Sequence, residues 1–348
     1  MQSPARVLVF QTSFTGDVVL TLPVLQALRE RLPDVMIDMV VIPSVVPLLA
    51  HHPDIHTIIP YDKKRSERGI IAGLSLALAL RKKKYDVAII PHRSIRSALI
   101  CYLAGIPRRI GFSTSAGRFL LSDVVRYQKD SHEVVRNLSL LAPLGVSPGG
   151  KVLPLLYPSA EDVHRVDAFL ESFNTHAMVA VAPGSVWATK RWLPERFGEL
   201  AGRLTREGLT VVLLGGAGDR PIGTIIETIA NSNLVVNAMG KLSILQSAEL
   251  IRRCKVAVTN DSSPLHLAVA MRTPVVAIFG ATVPEFGFGP LGDHDVVIET
   301  AGLDCRPCAI HGGDRCPIST FDCMKNIQVE RVLAAVQAII SGVRAEAV

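Results

Sequence analysis

The sequence predicts an α/β protein built from two similar halves. Short aliphatic and β-branched runs alternate with longer helical stretches, a pattern typical of parallel sheets with helices on both faces. A segment dense in Pro and Gly, residues 146–159, interrupts this alternation, and the same pattern then begins again. The 348 residues also exceed the size at which one core usually suffices, about 250–300 residues. We therefore expect a first domain over 1–155 and a second over 156–327, with a last helix at 328–345 that could pack back on the first.

The first half begins with a buried strand, VLVFQT, followed by a Ser-Phe-Thr-Gly-Asp turn and a helix with Leu22, Leu25 and Leu28 on one side. Further elements of this half are predicted as strands at 37–42, 56–59, 85–90 and 110–112, a helix at 70–82, and a loop leading into a helix at 92–96. Strands of the second half are predicted at 177–182, 209–214, 234–237, 256–259 and 274–279. Ligands of such sheets bind beyond the carboxyl ends of the strands, so the loops that follow the strands are the candidate sites.

Composition and charge limit the functional classes. No apolar run reaches the ~18 residues of a membrane span, and the N-terminus lacks a signal-peptide pattern, so we expect a cytoplasmic protein. Residues 1–150 hold 19 Lys and Arg against 11 Asp and Glu, whereas residues 151–348 hold 18 against 20. The basic half suits an anionic substrate or a membrane surface. Nucleic acid is disfavoured because no basic and aromatic interleaving or binding motif occurs.

One stretch of the second half, Val256 to Leu267, reads as strand, turn and helix start. Asp261 or Ser262 can cap this helix, and Pro264 is tolerated in its first turn. Backbone N–H groups at such a helix start form an anion site, beside which Asp261 and His266 add a carboxylate and an imidazole. An ordinary capped helix is the alternative interpretation.

Two other loops of this half follow strands. Gly184 and Ser185 with Lys190 form a plausible phosphate cradle, and a loop with solvated basic residues is the alternative. The run LGGAGDRP at 214–221 partly matches a dinucleotide fingerprint, but Pro221 stands where the third Gly belongs. Its glycines predict either close approach of a nucleoside or a plain tight turn.

In the first half, Gly16 and Asp17 follow the first strand. An Asp there usually caps a helix, but it also stands where a base facing a cleft would be. Basic residues that could receive an acidic substrate are those at 63–68, which include Lys64 and Arg65, together with Arg93, Arg96 and Arg118. Solvated surface is the alternative for each of them.

The last four of six cysteines form the pattern C-x2-C-x7-C-x6-C: Cys305, Cys308, Cys316 and Cys323. In a cytosolic protein this spacing favours a metal over disulfides, and a structural zinc is the metal it suggests. Reduced thiols or an occasional disulfide remain open, because the short second spacings are unlike those of a standard zinc ribbon.

Six stretches spread over nearly the whole chain occur together. They are TSFTGDVVLTLPVLQAL at 12–28, RSALICYLAGIPRRIGF at 96–112, HEVVRNLSLL at 132–141, APGSVWATKRWLPERF at 182–197, NDSSPLHLAVA at 260–270 and PVVAIFG at 274–280. This combination resembles the ADP-heptose:lipopolysaccharide heptosyltransferases, glycosyltransferase family 9, and its opening is slightly more similar to the enzymes that add the second heptose.

The resemblance implies a GT-B fold, two facing Rossmann-like domains with parallel sheets and a central cleft. It implies an inverting glycosyltransferase that moves heptose from ADP-L-glycero-D-manno-heptose to a lipid A-Kdo acceptor without a metal in the chemistry, at the inner face of the inner membrane. By match, Asp17 is the general base and Lys190 neutralises the leaving diphosphate. The other donor-binding residues implied are Ser185, Val186 (through its N–H), Asp219, Leu242, Asp261, Ser262, Ser263 and His266. The acceptor side is expected at Gly16, Lys64, Arg65, Arg93 and Arg118.

Three other functions stay open at this point. One is a relative of the same family that uses a different nucleotide sugar or acceptor, and another is a two-domain binding protein without catalysis. A nicotinamide oxidoreductase is disfavoured by the broken glycine fingerprint.

Overall fold

The computed structural model describes residues 4–62, 70–147, 150–173, 175 and 177–343. The chain divides into two compact units, Met1–Tyr157 and Pro158–Val348. Each unit is an α/β layer structure with its own parallel sheet, so the predicted fold class is confirmed.

Within the described residues of the first unit, six parallel strands form one sheet in the order β3-β2-β1-β4-β5-β6. The strands are β1 (Arg6–Phe10), β2 (Met36–Val41), β3 (Thr57–Pro60), β4 (Val87–Ile90), β5 (Arg108–Phe112) and β6 (Asp123–Val125). The helices are α1 (Thr15–Val19), α2 (Leu22–Arg31), α3 (Val46–Leu49), α4 (Ile70–Lys82), α5 (Ile95–Leu103) and α6 (Glu133–Ser139). Strand β4 is buried along its whole length, as expected for a strand covered by helices on both faces.

The described part of the second unit repeats this arrangement with six parallel strands in the order β12-β11-β10-β7-β8-β9. Its strands are β7 (Met178–Ala182), β8 (Thr210–Leu213), β9 (Val235–Asn237), β10 (Val256–Asn260), β11 (Val275–Phe279) and β12 (Val296–Glu299). Its helices are α7 (Ala160–Leu170), α8 (Pro194–Arg206), α9 (Arg220–Ala230), α10 (Ile244–Arg252), α11 (Ser263–Ala270), α12 (Asp322–Lys325) and α13 (Val329–Ser341).

Helix starts of this unit follow local sequence signals. Ser159 and Asp162 form a capping box at α7, in which the Ser159 hydroxyl accepts from the Asp162 N–H at 3.1 Å and the Asp162 carboxylate accepts from the Ser159 N–H at 3.0 Å. Pro194 opens α8, where its missing N–H costs nothing.

The edge strands β6 and β12 were not predicted from the sequence. The last helix, α13, contributes Val332 and Val336 to the core of the second unit and packs on α8.

Both sheets reverse their strand order next to the first strand of the unit. In the first unit this switch lies between β1 and β4, and in the second between β7 and β10. A crevice forms outside the carboxyl ends of the strands at such a point, which is where ligands bind in doubly wound sheets. The loops after these four strands are therefore the functional candidates that the fold selects.

Candidate active site

The loop that follows β7 is fastened at both ends by one side chain, Asn260 at the end of β10. Its amide nitrogen donates to the Pro183 carbonyl at 2.7 Å, and its amide oxygen accepts from the Trp192 N–H at 3.0 Å. Asn260 is fully buried, so both bonds lie away from water, where leaving either one unmade would be costly. The loop that carries Lys190 is thus held in place against the switch point of the sheet.

Within that loop, Lys190 is paired with Asp261. The Lys190 Nζ lies 2.6 Å from the Asp261 Oδ2, and both side chains are largely buried. The same carboxylate oxygen accepts a hydrogen bond from the Thr282 hydroxyl at 2.6 Å. An ammonium and a helix start on the two sides of the switch point are what an anionic ligand such as a diphosphate requires.

Helix α11 begins beside this pair. Ser262 occupies the N-cap position, but in the described structure its side chain makes no capping hydrogen bond. The hydroxyl instead donates to the carbonyls of Gly184 and Asn260, at 3.3 and 3.4 Å. Ser262 is therefore the N-cap residue, as the sequence predicted, but its hydroxyl makes no capping hydrogen bond in the described structure. Ser263 and Pro264 form the first turn, and His266 is buried in the helix.

The glycines of the loop after β8 accommodate a carboxylate. Asp219 accepts from the Gly216 N–H at 2.8 Å. A Cβ atom on Gly184 would lie 2.7 Å from the Asp219 Oδ1, and one on Gly215 would lie 2.8 Å from its Oδ2. A methyl group added at either position would therefore force the Asp219 side chain to shift. The sequence interpretation of the 214–221 glycines, space for a nucleoside or a tight turn, did not include this packing.

The remaining residues expected on the donor side lie in the same set of loops. The Ser185 carbonyl accepts from the Arg191 Nε at 2.8 Å, which braces the chain beside Lys190. Val186 is 68% exposed. Leu242 is partly buried and follows Gly240, whose N–H donates to the Gly215 carbonyl at 2.9 Å. The Leu242 segment thus adjoins the Asp219 loop.

In the first unit, Asp17 lies in α1, directly after β1. Its Oδ2 accepts from the Phe14 N–H at 3.2 Å, the backbone half of a capping box, and the side chain is partly exposed. Gly16 is buried beside it. The capping role weighed from the sequence is therefore present, and a carboxylate with two oxygens can also accept a proton from a ligand.

A cationic and aromatic cluster lies in the same unit, near the loop after β4. The guanidinium carbons of Arg93 and Arg136 lie 4.7 and 4.8 Å from the centre of the Tyr127 ring. Arg136 also donates to Glu133 at 2.9 Å and to the Tyr127 hydroxyl at 2.9 Å. Burial raises the pKa of Glu133, although the Arg136 contact opposes this rise. Of the residues in this cluster, only Arg93 was expected from the sequence to bind the acceptor.

The other residues expected on the acceptor side are placed differently. Arg118 lies exposed in a 3-10 turn, residues 118–120. Lys64 and Arg65 lie outside the described residues.

A contact between two polar side chains joins the loops after β1 and β4. The Thr12 hydroxyl and the His92 Nδ1 are 3.2 Å apart.

The four clustered cysteines do not form a metal centre in this structure. Within the described residues, which include all four, no group of three or more His, Cys, Asp or Glu side chains is placed to hold a metal, and every cysteine is a free thiol. The geometry therefore does not support the zinc suggested by the spacing. Burial raises the pKa of Cys323 to about 11. Burial also opposes ionisation of Cys316, but hydrogen bonds from backbone N–H groups of residues 318–321 outweigh it and lower its pKa.

The cysteine-rich segment nevertheless contacts the Lys190 loop. The Thr189 hydroxyl accepts from the Gly313 N–H at 2.8 Å, and the Thr189 N–H donates to the Gly313 carbonyl at 3.0 Å. The Arg306 side chain donates to the Thr282 carbonyl at 2.8 Å. The cysteine-rich segment thus binds Thr189, next to Lys190, and Thr282, which contacts Asp261. The spacing of the cysteines did not indicate this role.

The chain thus has two doubly wound units, and in the second an ammonium and a helix start flank the switch point of the sheet. The model of glycosyltransferase family 9 (heptosyltransferase) matches residues 74–313. The chain is 31% identical over 294 residues to lipopolysaccharide heptosyltransferase 2 of Escherichia coli K12, covering 81% of this chain and 84% of the relative. The chain belongs to glycosyltransferase family 9, and it is a glycosyltransferase.

Solved structures agree with this assignment. The structure of E. coli ADP-heptose lps heptosyltransferase II superposes with a TM-score of 0.80 at 28% identity, over 97% of this chain and 99% of the other. A family 9 glycosyl transferase from Veillonella parvula DSM 2008 has a TM-score of 0.87 at 24% identity, over 97% and 98%, and supports the fold. The two units are therefore those of a GT-B glycosyltransferase. In the part of the chain that the structure describes, no helix is both long and apolar enough to cross a bilayer.

Proposed function

We propose that the protein transfers heptose from ADP-L-glycero-D-manno-heptose to the inner core of lipopolysaccharide. The observation that carries this proposal is the buried Lys190–Asp261 pair at the start of α11, within a chain of family 9. The similarity to lipopolysaccharide heptosyltransferase 2 supports the choice of donor and acceptor. The acceptor is a lipid A-Kdo inner core, reached by a peripheral enzyme at the inner face of the inner membrane.

The donor binds the second unit. Its diphosphate accepts from Lys190 and lies at the positive end of α11, near Ser262 and Ser263, with the N–H of Val186 and the Ser185 segment alongside. When the bond between the anomeric carbon and the diphosphate oxygen breaks, negative charge grows on that oxygen. An ammonium and a helix N-terminus fixed in advance stabilise this charge without reorganising. Asp219 and Leu242 lie on the nucleoside side, and Asp261 and His266 lie near the diphosphate and the heptose.

The acceptor binds the first unit. An acceptor hydroxyl attacks the anomeric carbon from the face opposite the diphosphate, which inverts its configuration. Asp17 takes the proton that this hydroxyl loses, so that the products are the glycoside, ADP and a protonated Asp17. Gly16, Arg93 and Arg118, with Lys64 and Arg65, bind the acidic sugars and phosphates of the acceptor. The excess of cations in residues 1–150 supports this division.

The proposed donor is tested by turnover on a panel. The purified enzyme is incubated with a truncated Kdo-terminated acceptor, or with one that already carries a first heptose, and with ADP-heptose, ADP-glucose or UDP-glucose. The proposal expects product with ADP-heptose only, and the acceptor that reacts tells which heptose is added. Turnover with another sugar nucleotide, and none with ADP-heptose, would contradict the proposed donor and identify that sugar nucleotide as the donor instead. Tight binding of a donor without any turnover would indicate a binding protein.

A further inference from the structure

Two neighbouring helices of the first unit are apolar on both sides. Helices α4 and α5 contact each other and pack on the sheet through buried residues such as Leu80, Ile100 and Cys101. A surface helix normally presents a polar outer face to water. On α4, however, Ile71 is 84% exposed and Leu78 is 60% exposed.

Exposed apolar side chains occur on three elements that pack against one another. On α4, Ile71, Leu74 and Leu78 follow helical spacing, so they form one stripe. On α5 the exposed set is Ile95, Leu99, Tyr102 and Leu103. The 3-10 turn at 118–120 adds Phe119, which is 72% exposed. We call these eight residues the apolar face.

Close packing joins these three elements into one surface. A Cβ on Gly73 of α4 would meet the Ile100 side chain of α5 at 3.7 Å. A Cβ on Gly117, just before the 3-10 turn, would lie 2.7 Å from the Ala98 Cβ of α5. Exposed apolar side chains gathered on adjacent elements in this way mark an interaction site.

Charge identifies what this surface fits. Residues 70–122 hold nine Lys and Arg and a single carboxylate, Asp86. That carboxylate accepts from the N–H groups of Ala5 and Arg6, at 2.8 Å each. Exposed cations adjoin the apolar residues along the chain: Arg81 and Lys82 end α4, Arg96 lies in the first turn of α5, and Arg118 precedes Phe119. Apolar side chains with a rim of cations match the interface of an anionic bilayer.

We propose that the apolar face docks the enzyme on an anionic lipid bilayer. A second copy of this chain fits less well, because a two-fold interface would set one cationic rim against the other, with only Asp86 among residues 70–122 to offset the charge. Helix α5 begins after β4, at the sheet edge where Thr12 meets His92 and where Asp17 follows β1. Docking through α4 and α5 therefore holds this edge next to the lipid surface. The inference rests on the proposed function only for the biological acceptor, since bilayer binding can be measured without donor or acceptor.

Vesicle co-sedimentation of the full chain tests the proposal. Wild type should bind vesicles of phosphatidylethanolamine and phosphatidylglycerol, bind phosphatidylcholine vesicles weakly, and lose binding as salt is added. Leu74→Ser with Leu78→Ser should weaken binding to the anionic vesicles by about tenfold or more. The matched control is Val135→Ser, an exposed apolar position on α6, which packs on α2; it should bind as wild type.

A second pair of variants changes charge alone. Arg81→Glu with Lys82→Glu should also weaken binding by about tenfold or more, whereas Arg206→Glu, at the end of α8 in the other unit, should not. Turnover on a short, water-soluble acceptor should be unchanged in all these variants. Wild-type vesicle binding by both double variants would overturn the proposal, as would a dimer that the leucine variant dissociates while vesicle binding persists. If the wild-type enzyme shows no turnover with ADP-heptose and the acceptor, the proposed function is overturned. The result on vesicle binding would still stand.

Discussion

The Lys190 ammonium and the Asp261 carboxylate, 2.6 Å apart and shielded from water, join the loops after β7 and β10 across the switch point of the second sheet. A buried pair of this kind is costly to break one partner at a time, because the other charge is left unpaired. The pair therefore holds the loops together, and in the proposed mechanism its ammonium has a second role, as a cation for the donor diphosphate.

Variants of the pair separate these roles. Lys190→Ala should lower transition-state stabilisation by roughly 2–4 kcal/mol and unfolding stability by about 3 kcal/mol. Adding Asp261→Asn should restore much of the thermal midpoint, because no unpaired carboxylate remains, but not the turnover. Thermal melts and kcat/KM of the single and double variants check this. Recovery of turnover together with stability would show that Lys190 has a structural role only.

A glycine pair tests the packing of Asp219. Gly184→Ala should reduce both donor affinity and the thermal midpoint, because the new methyl group would lie 2.7 Å from the Asp219 Oδ1. Gly218→Ala is the matched control in the neighbouring loop, since a Cβ there has no atom of the described structure within 4 Å. Calorimetric binding of ADP and a thermal melt measure both effects. Equal behaviour of the two variants would contradict the tight packing.

His52 should make the first unit sensitive to acid. Burial lowers the pKa of this imidazole to about 4, and its Nε2 has no hydrogen-bond partner among the described residues. Since the unfolded value is near 6.5, the unfolded chain binds the proton first as the pH falls. Stability is therefore intact above about pH 6.5 and declines between there and about pH 4, by about 2 kcal/mol at pH 5.

Replacement of His52 tests whether its protonation lowers the stability of the folded chain. His52→Gln should flatten the decline in unfolding free energy between pH 7 and pH 5, whereas His51→Gln, at the exposed neighbouring position, should leave it as in wild type. Denaturant unfolding at the two pH values gives the difference. An unchanged slope in His52→Gln would assign the acid sensitivity to other groups.

Cys316 should be the most reactive of the six thiols. Backbone N–H groups lower its pKa, whereas burial raises those of Cys101, Cys254 and Cys323. Because the thiolate is the nucleophile, iodoacetamide at neutral pH should label Cys316 first and the buried thiols last. Mass spectrometry of peptides reads the order, and Cys316→Ser is the control. About one zinc per chain by elemental analysis, with labelling blocked until a chelator is added, would contradict the free-thiol geometry.

The sequence predicted the central strands well because strands buried on both faces are uninterrupted aliphatic runs, as in VAII of β4 and VVAIF of β11. It missed β6 and β12 because these short edge strands are only partly buried. The loops that carry Lys190 and Asp261 were predicted from strand ends alone. The partners of Asp261 were not, since Lys190 and Thr282 lie 71 and 21 residues away in the chain and only the sheet order brings them together. The double contact of Asn260 was missed for the same reason.

The central claim is that Asp17 removes the acceptor proton, and one variant tests it most directly. Asp17→Asn keeps the shape and can still accept the Phe14 N–H, but it cannot take a proton. With ADP-heptose and the Kdo-terminated acceptor, the account predicts near-normal donor affinity, an unchanged thermal midpoint and a kcat lower by about 10²–10⁴-fold. A wild-type kcat in this variant would contradict the account and leave Asp17 with its capping role only.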